Sequence, residues 1–311
     1  MTDALAIEVR GLTKRYGSKT VVEGLSLEVP RGAIYGLLGP NGSGKTTTLS
    51  CALGLMRPTA GTSRLLGVPS GQIHRLQGRL GVVFDTAIAL PGLTATQNLD
   101  YVQRLLGHRR GRDHATVLEA VGLAGLARQR ARSMSLGQQK RLAIASALLG
   151  QPELLVLDEP LSGLDTLGVR RMLRLFQQLQ GEGVTLLLSS HRLHEMQTVV
   201  THAGILVGGE IAKSGTLDAL LGRDAQRQRL TVDDAARATA VLHAFGGLEC
   251  KRLEDEGGLA RLEVRGDADL PALHRALVEA DVAVHASEPL VESLQSVFER
   301  LVDEREAQEV A

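Results

Sequence analysis

The residues with the clearest chemistry lie between positions 39 and 46, where the sequence reads GPNGSGKT. This stretch fits G-x-x-x-x-G-K-[ST], the pattern of a loop that binds nucleotide phosphates. Gly42 and Gly44 let the backbone turn tightly and approach an anion closely. We expect Lys45 to reach the β- and γ-phosphates and the hydroxyl of Thr46 to bind Mg²⁺. The alternative is a glycine-rich turn before an ordinary helix.

The segments on either side of the loop favour the phosphate site over that alternative. Residues 33–38 (AIYGLL) are apolar and predict a buried strand, and residues 45–55 (KTTTLSCALGL) predict a helix. A strand, a glycine loop and a helix N-terminus together direct backbone N–H groups and the positive end of a helix dipole at one anion. The sequence therefore predicts that a nucleotide binds here.

Acidic and histidine side chains follow three more apolar runs, at the positions where predicted strands end. They are Asp85 after residues 80–84, Asp158 and Glu159 after residues 153–157, and His191 after residues 184–189. Asp158 is suited to hold Mg²⁺ directly or through water, and Glu159 to orient or deprotonate an attacking water. His191 is suited to contact a terminal phosphate. The alternatives are surface acids before a proline turn and a structural histidine, and the shared position at strand ends argues against both.

Strands that alternate with helices predict the α/β fold class, with a mostly parallel sheet that binds ligands at the carboxyl ends of its strands. Residues 7–11 and 21–29 alternate apolar and polar positions, as half-buried strands do. The pattern becomes helical from about residue 91 to 150, where Thr94 and Gln97 have the spacing of a capping box.

A second domain is predicted after the sequence becomes polar and charged at residues 220–229. We place the boundary between domains 1–222 and 223–311. The second domain has the order strand, helix, strand, strand, helix, strand before a last helix, which is an α+β ferredoxin-like pattern. No catalytic motif occurs in it. Two roles remain open for this domain: a module for partner docking or regulation, or an appendage that adds dimer contacts.

Composition limits the classes of partner. The 311 residues suggest about two domains, and 35 basic and 35 acidic residues give a net charge of zero. Neither this charge nor an aromatic content of 2% without tryptophan favours nucleic acid. Two cysteines fit a reducing compartment, and no apolar run approaches the ~18 residues of a membrane span. We expect a cytoplasmic protein that contacts membranes only through a partner.

Residues 135–141 read SLGQQKR and open a helix, a second place where a helix N-terminus meets an anion. Together with the phosphate loop, LLVLDEP at 154–160, SGLD at 162–165 and His191, this segment resembles the signature of the ATP-binding cassette (ABC) ATPases. The resemblance covers roughly the first 220 residues. In detail the chain resembles the ATPase subunits of bacterial ABC-2-type exporters, a group that includes antibiotic and lantibiotic self-protection pumps.

The resemblance implies an ABC ATPase nucleotide-binding domain, with a phosphate-loop core, an antiparallel β subdomain and a helical subdomain at about residues 91–150. It implies ATP and Mg²⁺ as cofactors, with Tyr16 stacked on adenine. The implied ATP-binding residues are Tyr16, Gly39, Asn41, Gly42, Ser43, Gly44, Lys45, Thr46 and Thr47. The implied metal-binding residues are Thr46, Asp85 and Asp158, and the implied catalytic residues are the base Glu159 and the γ-phosphate sensor His191.

The resemblance also implies an assembly. Ser135, Gly137 and Gln138 would contact ATP held by a second subunit, and Asp165 would lie at the dimer interface. The subunits would be two copies of this chain or this chain and a similar ATPase. A separate transmembrane permease would hold the dimer at the inner face of the cell membrane and would use ATP hydrolysis for export. The alternative is an ABC-type ATPase with a regulatory or non-transport role.

Two residues depart from the family pattern. Asp85 stands where family members usually carry Gln and sometimes Glu, and Leu136 stands where the commonest signature has Gly. Asp is shorter and acidic, so we expect it to reach Mg²⁺ only through a water and to weaken the link between ATP and the permease. Leu136 brings a side chain where the backbone is usually close to ATP, yet we expect activity because the exporter subset tolerates it.

Overall fold

The computed structural model divides the chain into two compact units. The first comprises Met1–Thr216 and Phe298–Ala311, and the second comprises Leu217–Val297. The residues that the structure describes are 5–76, 78–85, 89–107, 112–222, 227–245, 248–253, 255, 257–266, 269–290 and 292–310.

The first unit contains ten strands and six helices among its described residues up to Thr216. They are β1 Leu5–Tyr16, β2 Lys19–Pro30, β3 Ile34–Leu38, α1 Lys45–Ala52, β4 Ala60–Leu65, β5 Val68–Pro69, β6 Leu80–Val83, α2 Ala95–Leu105, α3 His114–Ala120, α4 Leu136–Leu148, β7 Leu154–Asp158, α5 Thr166–Gly181, β8 Thr185–Ser190, α6 Leu193–Met196, β9 His202–Val207 and β10 Glu210–Thr216. Short 3₁₀ turns lie at Ser70–Leu76, Ala124–Leu126 and Ala131–Ser133.

A six-stranded sheet in the order β10-β9-β3-β8-β7-β6 forms the centre of this unit. Its strands are parallel except for the hairpin of β9 and β10. Every residue of β3, β7 and β8 is buried. Strands of a parallel sheet that are covered on both faces have such continuous apolar runs. The parallel order brings the carboxyl ends of β3, β6, β7 and β8 to one edge, as the sequence predicts.

A second sheet of the first unit is antiparallel, in the order β2-β1-β4-β5. Its two long strands alternate: Ile7 and Val9 on β1 and Leu25 and Leu27 on β2 are buried, with more exposed residues between them. This alternation places one face of the sheet on the core and the other toward solvent. Tyr16 is the last residue of β1, and β2 begins at Lys19.

The helical region contains α2, α3 and α4. The capping box predicted at the start of α2 is confirmed: the Thr94 hydroxyl accepts from the Gln97 amide at 3.2 Å, and the Gln97 side chain accepts from the Thr94 amide at 2.9 Å. Two otherwise unsatisfied N–H groups of the helix start are thereby paired. Among the described residues, no helix is both long and apolar enough to cross a membrane.

The second unit has its own sheet and its own apolar core. Its elements are α7 Leu217–Leu220, β11 Arg227–Val232, α8 Ala235–Ala244, β12 Glu249–Arg252, β13 Ala260–Arg265, α9 Leu270–Glu279, β14 Val284–Pro289 and the start of α10 Leu294–Val310. The four strands are antiparallel in the order β12-β13-β11-β14. Leu230 and Leu262 on the sheet and Leu242, Leu273 and Leu277 on the helices form the core.

The last helix differs from the prediction in the unit to which it belongs. It begins at Leu294, after β14 ends at Pro289. From Phe298 onward it belongs to the first unit, where Arg305 donates to the carbonyl of Val207 at 3.0 Å. The units therefore divide at Thr216 and Phe298 rather than once at residue 222, because a returning helix leaves no mark in local composition.

Candidate nucleotide-binding site

The phosphate loop lies between β3 and α1 and requires glycine at several places. Gly42 and Gly44 have φ angles of 81° and 103°, in the left-handed region. A Cβ atom on Gly44 would lie 2.9 Å from the carbonyl oxygen of Val21, and one on Gly39 would lie 2.4 Å from that of Leu206. The glycines thus allow neighbouring backbone to pack directly against the loop.

Lys45 lies inside the loop. Its side chain is 6% exposed, and Nζ donates to the carbonyl oxygens of Gly39 at 2.8 Å and Pro40 at 3.0 Å. The hydroxyl of Ser43 is buried and has no hydrogen-bond partner within the part of the chain that the structure describes. A buried ammonium, an unpaired hydroxyl and the N–H groups of a helix start form a donor set that fits phosphate oxygens.

Asp158 is held at the end of β7, where it is 3% exposed. The hydroxyl of Thr46 donates to its Oδ2 at 2.8 Å, and the hydroxyl of Ser189 donates to its Oδ1. The Ser189 oxygen in turn accepts from the amide of Glu159 at 3.0 Å. A carboxylate and a threonine hydroxyl at one point are oxygen ligands that fit Mg²⁺.

Glu159 follows with a strained backbone. Its φ of 47° is left-handed, an unusual conformation for a non-glycine residue that is found at functional sites. Its side chain is 14% exposed and lies between the ammonium of Lys45 and the imidazole of His191. Oε1 is 3.3 Å from Nζ of Lys45, and Oε2 is 2.8 Å from Nδ1 of His191. The carboxylate is therefore held in one orientation beside the phosphate loop.

A cavity of about 340 Å³ joins these groups. It is lined by Val21, Asn41, Gly42, Gly44, Lys45, Thr46, Thr47, Asp85 and Glu159. Asp85 lies on its rim with 48% of its side chain exposed, and its Oδ1 pairs with Nζ of Lys140. Thus the sequence-predicted residues from the phosphate loop, Asp85 and Glu159 meet at one cavity, while the partner of Asp85 is a residue that the sequence did not indicate.

Tyr16 lies apart from this cavity lining. Its ring is 47% exposed, and its hydroxyl donates to Sδ of Met56 at 2.8 Å. The ammonium of Lys14 is 5.0 Å from the ring centroid, a cation–π distance. The ring therefore combines an exposed aromatic surface with a cation, which is suited to stacking on a planar base.

The predicted residues of the signature form a second cluster. Ser135 and Gln138 make a capping box at the start of α4, with distances of 3.3 and 2.9 Å between their side chains and amides. A Cβ on Gly137 would lie 3.1 Å from the carbonyl of Gly163, so α4 packs closely on the loop before α5. Asp165 caps α5 by accepting from the amide of residue 168 at 2.8 Å. None of these four residues is among the described residues that line the phosphate cavity.

Arg141 anchors the signature helix from its other side. Nη1 donates to the carbonyls of Val121 at 3.0 Å and Gly122 at 3.1 Å, at the end of α3. Burial lowers the pKa of Arg141, and the neighbouring charge of Arg171 lowers it further. Both guanidinium groups contact the Gly122 carbonyl, which holds α3, α4 and α5 together.

Comparison with known proteins agrees with this geometry. The family model described as ABC transporter matches residues 22–162. The uncharacterized ABC transporter ATP-binding protein YcbN of Bacillus subtilis is 33% identical over 299 residues, which cover 96% of this chain and 97% of that protein. The chain belongs to the ATP-binding proteins of ABC transporters. As an ABC ATPase it is an ATP-binding, ATP-hydrolysing subunit, so the predicted enzyme class is confirmed.

Two further similarities concern this ABC ATPase. The bacitracin transport ATP-binding protein BcrA of Bacillus licheniformis is 33% identical over 298 residues, covering 95% of this chain and 97% of that protein. A solved dimeric ATP-binding cassette in a post-hydrolysis state, bound to ADP and phosphate, has 25% identity and a TM-score of 0.60. The match covers 68% of this chain and 98% of the cassette's chain. The predicted α/β cassette fold is therefore confirmed.

Two residues of the ABC site were missed from the sequence. The pattern predicts Ser189 only as a strand residue, although its hydroxyl joins Asp158 to the amide of Glu159. It includes Lys140 only as part of the signature, although the Lys140 side chain is 6% exposed and reaches Asp85. A lysine inside an otherwise apolar helix face is a signal that could have found it, because a buried ammonium requires a charged partner.

Proposed function

We propose that this chain is the ATPase subunit of a bacterial exporter, and that it works as a dimer around two molecules of ATP. The observation that carries the proposal is that Lys45, Thr46 and Glu159 line one cavity. Behind this lining, Asp158 accepts a hydrogen bond from Thr46, and His191 pairs with Glu159. Phosphate binding, metal binding and activation of water require these three groups together.

Each residue has a role in the proposed hydrolysis. Lys45 and the loop amides bind the β- and γ-phosphates, and Thr46 and Asp158 hold Mg²⁺. Bound Mg²⁺ supplies charge neutralisation at the phosphate oxygens. Glu159 orients the attacking water and accepts its proton, and His191 holds the Glu159 carboxylate in position and contacts the γ-phosphate.

The proposed dimer uses the signature cluster. At the start of α4, Ser135 is exposed, Gln138 is half-buried and Gly137 is buried between them. All three lie outside the phosphate cavity, which suits this helix start to ATP bound by a second subunit. Asp165, at the start of α5, would lie at the same interface. The similarity to a dimeric cassette that binds ADP and phosphate supports this arrangement. Closure on ATP and release after hydrolysis would supply the movement.

The proposed partner is a separate transmembrane permease, which would keep this chain at the inner face of the cell membrane. An apolar cleft of about 360 Å³ beside β6, between α2 and α4, is suited to a segment of that permease. Leu90 and Tyr101 line it and are 41% and 48% exposed. The name of BcrA, a bacitracin transport protein, supports an antibiotic-like cargo.

The second unit is proposed to be a ferredoxin-like accessory domain. Its order of two βαβ halves and its antiparallel sheet order β12-β13-β11-β14 support this assignment. The proposal places the domain at Leu217–Val297 and leaves α10 to return to the ATPase unit.

Glu159→Gln tests the proposed function. This change keeps the size of the side chain and removes the base, so hydrolysis should fall by about 10² to 10⁴-fold while ATP binding is retained. With MgATP the variant should elute as a dimer in size-exclusion chromatography, and with ADP as a monomer. A variant that binds ATP but stays monomeric would overturn the dimer, and one that hydrolyses ATP at the wild-type rate would overturn the role of Glu159.

A further inference from the structure

Lys140 connects three parts of the proposed ATPase site. It lies on α4, five positions after the helix cap Ser135, and its side chain is 6% exposed. Its Nζ pairs with Oδ1 of Asp85 on the rim of the phosphate cavity. The same nitrogen donates to the backbone carbonyl of Glu159 at 3.3 Å. One buried ammonium thus joins the signature helix, the cavity rim and the backbone of the proposed base.

Asp85 places a negative charge beside the predicted phosphate site, and the ammonium of Lys140 pairs with this charge. The carboxylate is 48% exposed and lines a cavity whose donors fit phosphate, so it carries the same charge as the expected ligand. Like charges within several ångströms weaken binding, and water screens them poorly in a partly enclosed cavity. Glu159, the other carboxylate of the lining, already has Lys45 as its partner. Asp85 has Lys140.

We propose that Lys140 is a positioning residue that neutralises Asp85 and thereby allows the cavity to accept the polyphosphate of a nucleotide. The inference rests on the proposed function and deepens it, because it assigns a role to a residue outside the phosphate loop. Lys140 acts through Asp85 and does not touch the nucleotide. Through its hydrogen bond to the Glu159 carbonyl, the same side chain also fixes the signature helix against the end of β7.

The measurement is the affinity for ATP without Mg²⁺, in EDTA, by isothermal titration calorimetry on the full chain. Removing the metal isolates the charge of Asp85 from any contact with Mg²⁺. Lys140→Gln should weaken ATP binding by about tenfold, because it leaves the Asp85 carboxylate unpaired beside the phosphates. The loss should be smaller for ADP, which carries less charge. Lys140→Arg should stay within about threefold of wild type, because a guanidinium preserves the charge.

Two changes at Asp85 keep the test independent of how well Lys140→Gln folds. Asp85→Asn alone should bind metal-free ATP as tightly as wild type or more tightly, because the repelling carboxylate is gone. Asp85→Asn combined with Lys140→Gln should recover most of the ATP affinity that Lys140→Gln alone loses. The double variant also lacks the Lys140–Asp85 pair, but it has no unpaired carboxylate in the cavity. Lys251→Gln, on the exposed β12 strand of the second unit, is the control for losing one positive charge.

The outcomes separate this inference from the proposed function. Equal affinity of Lys140→Gln and wild type, weaker binding by Asp85→Asn, or no recovery in the double variant would each overturn the role of Lys140. A helix anchor without an electrostatic role would lower the melting temperature of Lys140→Gln and leave the difference between ATP and ADP unchanged, which would also overturn it. Failure of the wild-type chain to bind ATP at all would instead overturn the proposed function.

Discussion

Nδ1 of His191 lies 2.8 Å from Oε2 of Glu159, and the two residues come from the loops after adjacent parallel strands, β8 and β7. The other oxygen of this carboxylate is 3.3 Å from Nζ of Lys45, in the loop after β3. Three strand ends therefore fix one carboxylate. The backbone of Glu159 is left-handed, with a φ of 47°, directly after β7 ends at Asp158.

Replacing His191 with Ala should slow hydrolysis without weakening ATP binding by more than a few fold. The Glu159 carboxylate would lose the partner that orients it, and misplacing a catalytic group by about 1 Å is enough to cost ~10²-fold. The measurement is kcat and KM for ATP by phosphate release. His194→Ala, an exposed histidine on α6, is the matched control. A rate within twofold of wild type would contradict the role of His191.

Thr46→Val should remove most of the gain in ATP affinity that Mg²⁺ provides. The Thr46 hydroxyl donates to Asp158 at 2.8 Å, so its loss removes one proposed metal ligand and one of the two side-chain hydrogen bonds that hold the other. We expect the ratio of ATP affinities with Mg²⁺ and with EDTA to fall by about tenfold, with little change in EDTA. Thr46→Ser keeps the hydroxyl and should retain the ratio. An unchanged ratio in Thr46→Val would show that this hydroxyl holds no metal.

The sequence predicted the parts of the site that local pattern determines. The phosphate loop, Asp158, Glu159 and His191 follow apolar runs, and parallel strands necessarily bring such ends together. It could not predict the pairing of Lys140 with Asp85, because the two lie 55 positions apart and their contact depends on how α4 packs on the sheet. It also missed the return of α10 to the first unit, since long-range packing leaves no local periodicity.

Leu136→Gly should weaken dimer formation on ATP. The Leu136 side chain is 62% exposed at the start of α4 and lies beside Gly163, so in the proposed dimer it would be buried by the second subunit. Losing about 1 to 2 kcal/mol of apolar burial corresponds to an increase of roughly 5- to 30-fold in the dimer dissociation constant. Sedimentation of Glu159→Gln with and without Leu136→Gly, in MgATP, measures this.

The matched control for that comparison is Leu105→Ala, which changes a leucine that is 70% exposed on α2. It should leave the dimer dissociation constant unchanged. If Leu136→Gly dimerises as tightly as its parent or more tightly, the leucine is neutral or obstructive. The departure from the common signature would then have no stabilising role in the dimer.

Glu263→Gln should destabilise the second unit at neutral pH and much less at acid pH. The Glu263 side chain is 6% exposed and accepts from Nε of Arg227 and Nε of Arg265, both at 2.8 Å. Burial by itself raises the pKa of Glu263, but the hydrogen bonds from Arg265 and Arg227 outweigh it and hold the pKa below its ordinary value. A pKa that is lower in the folded than in the unfolded chain stabilises the fold at pH values above the unfolded pKa of about 4.3. This stabilisation is lost as the pH falls through the pKa of the folded state.

At pH 7 the change should therefore lower the free energy of unfolding by about 2 kcal/mol, the range for hydrogen bonds to charged groups. The measurement is urea unfolding of the full chain followed by circular dichroism, for wild type and Glu263→Gln, at pH 7 and at pH 3.5. Glu249→Gln, on the exposed face of neighbouring β12, should have little effect at either pH. An equal loss at both pH values would mean that Glu263 contributes through packing and not through its charge. Protonating the Glu263 carboxylate would then not have reduced the effect of the substitution on the free energy of unfolding.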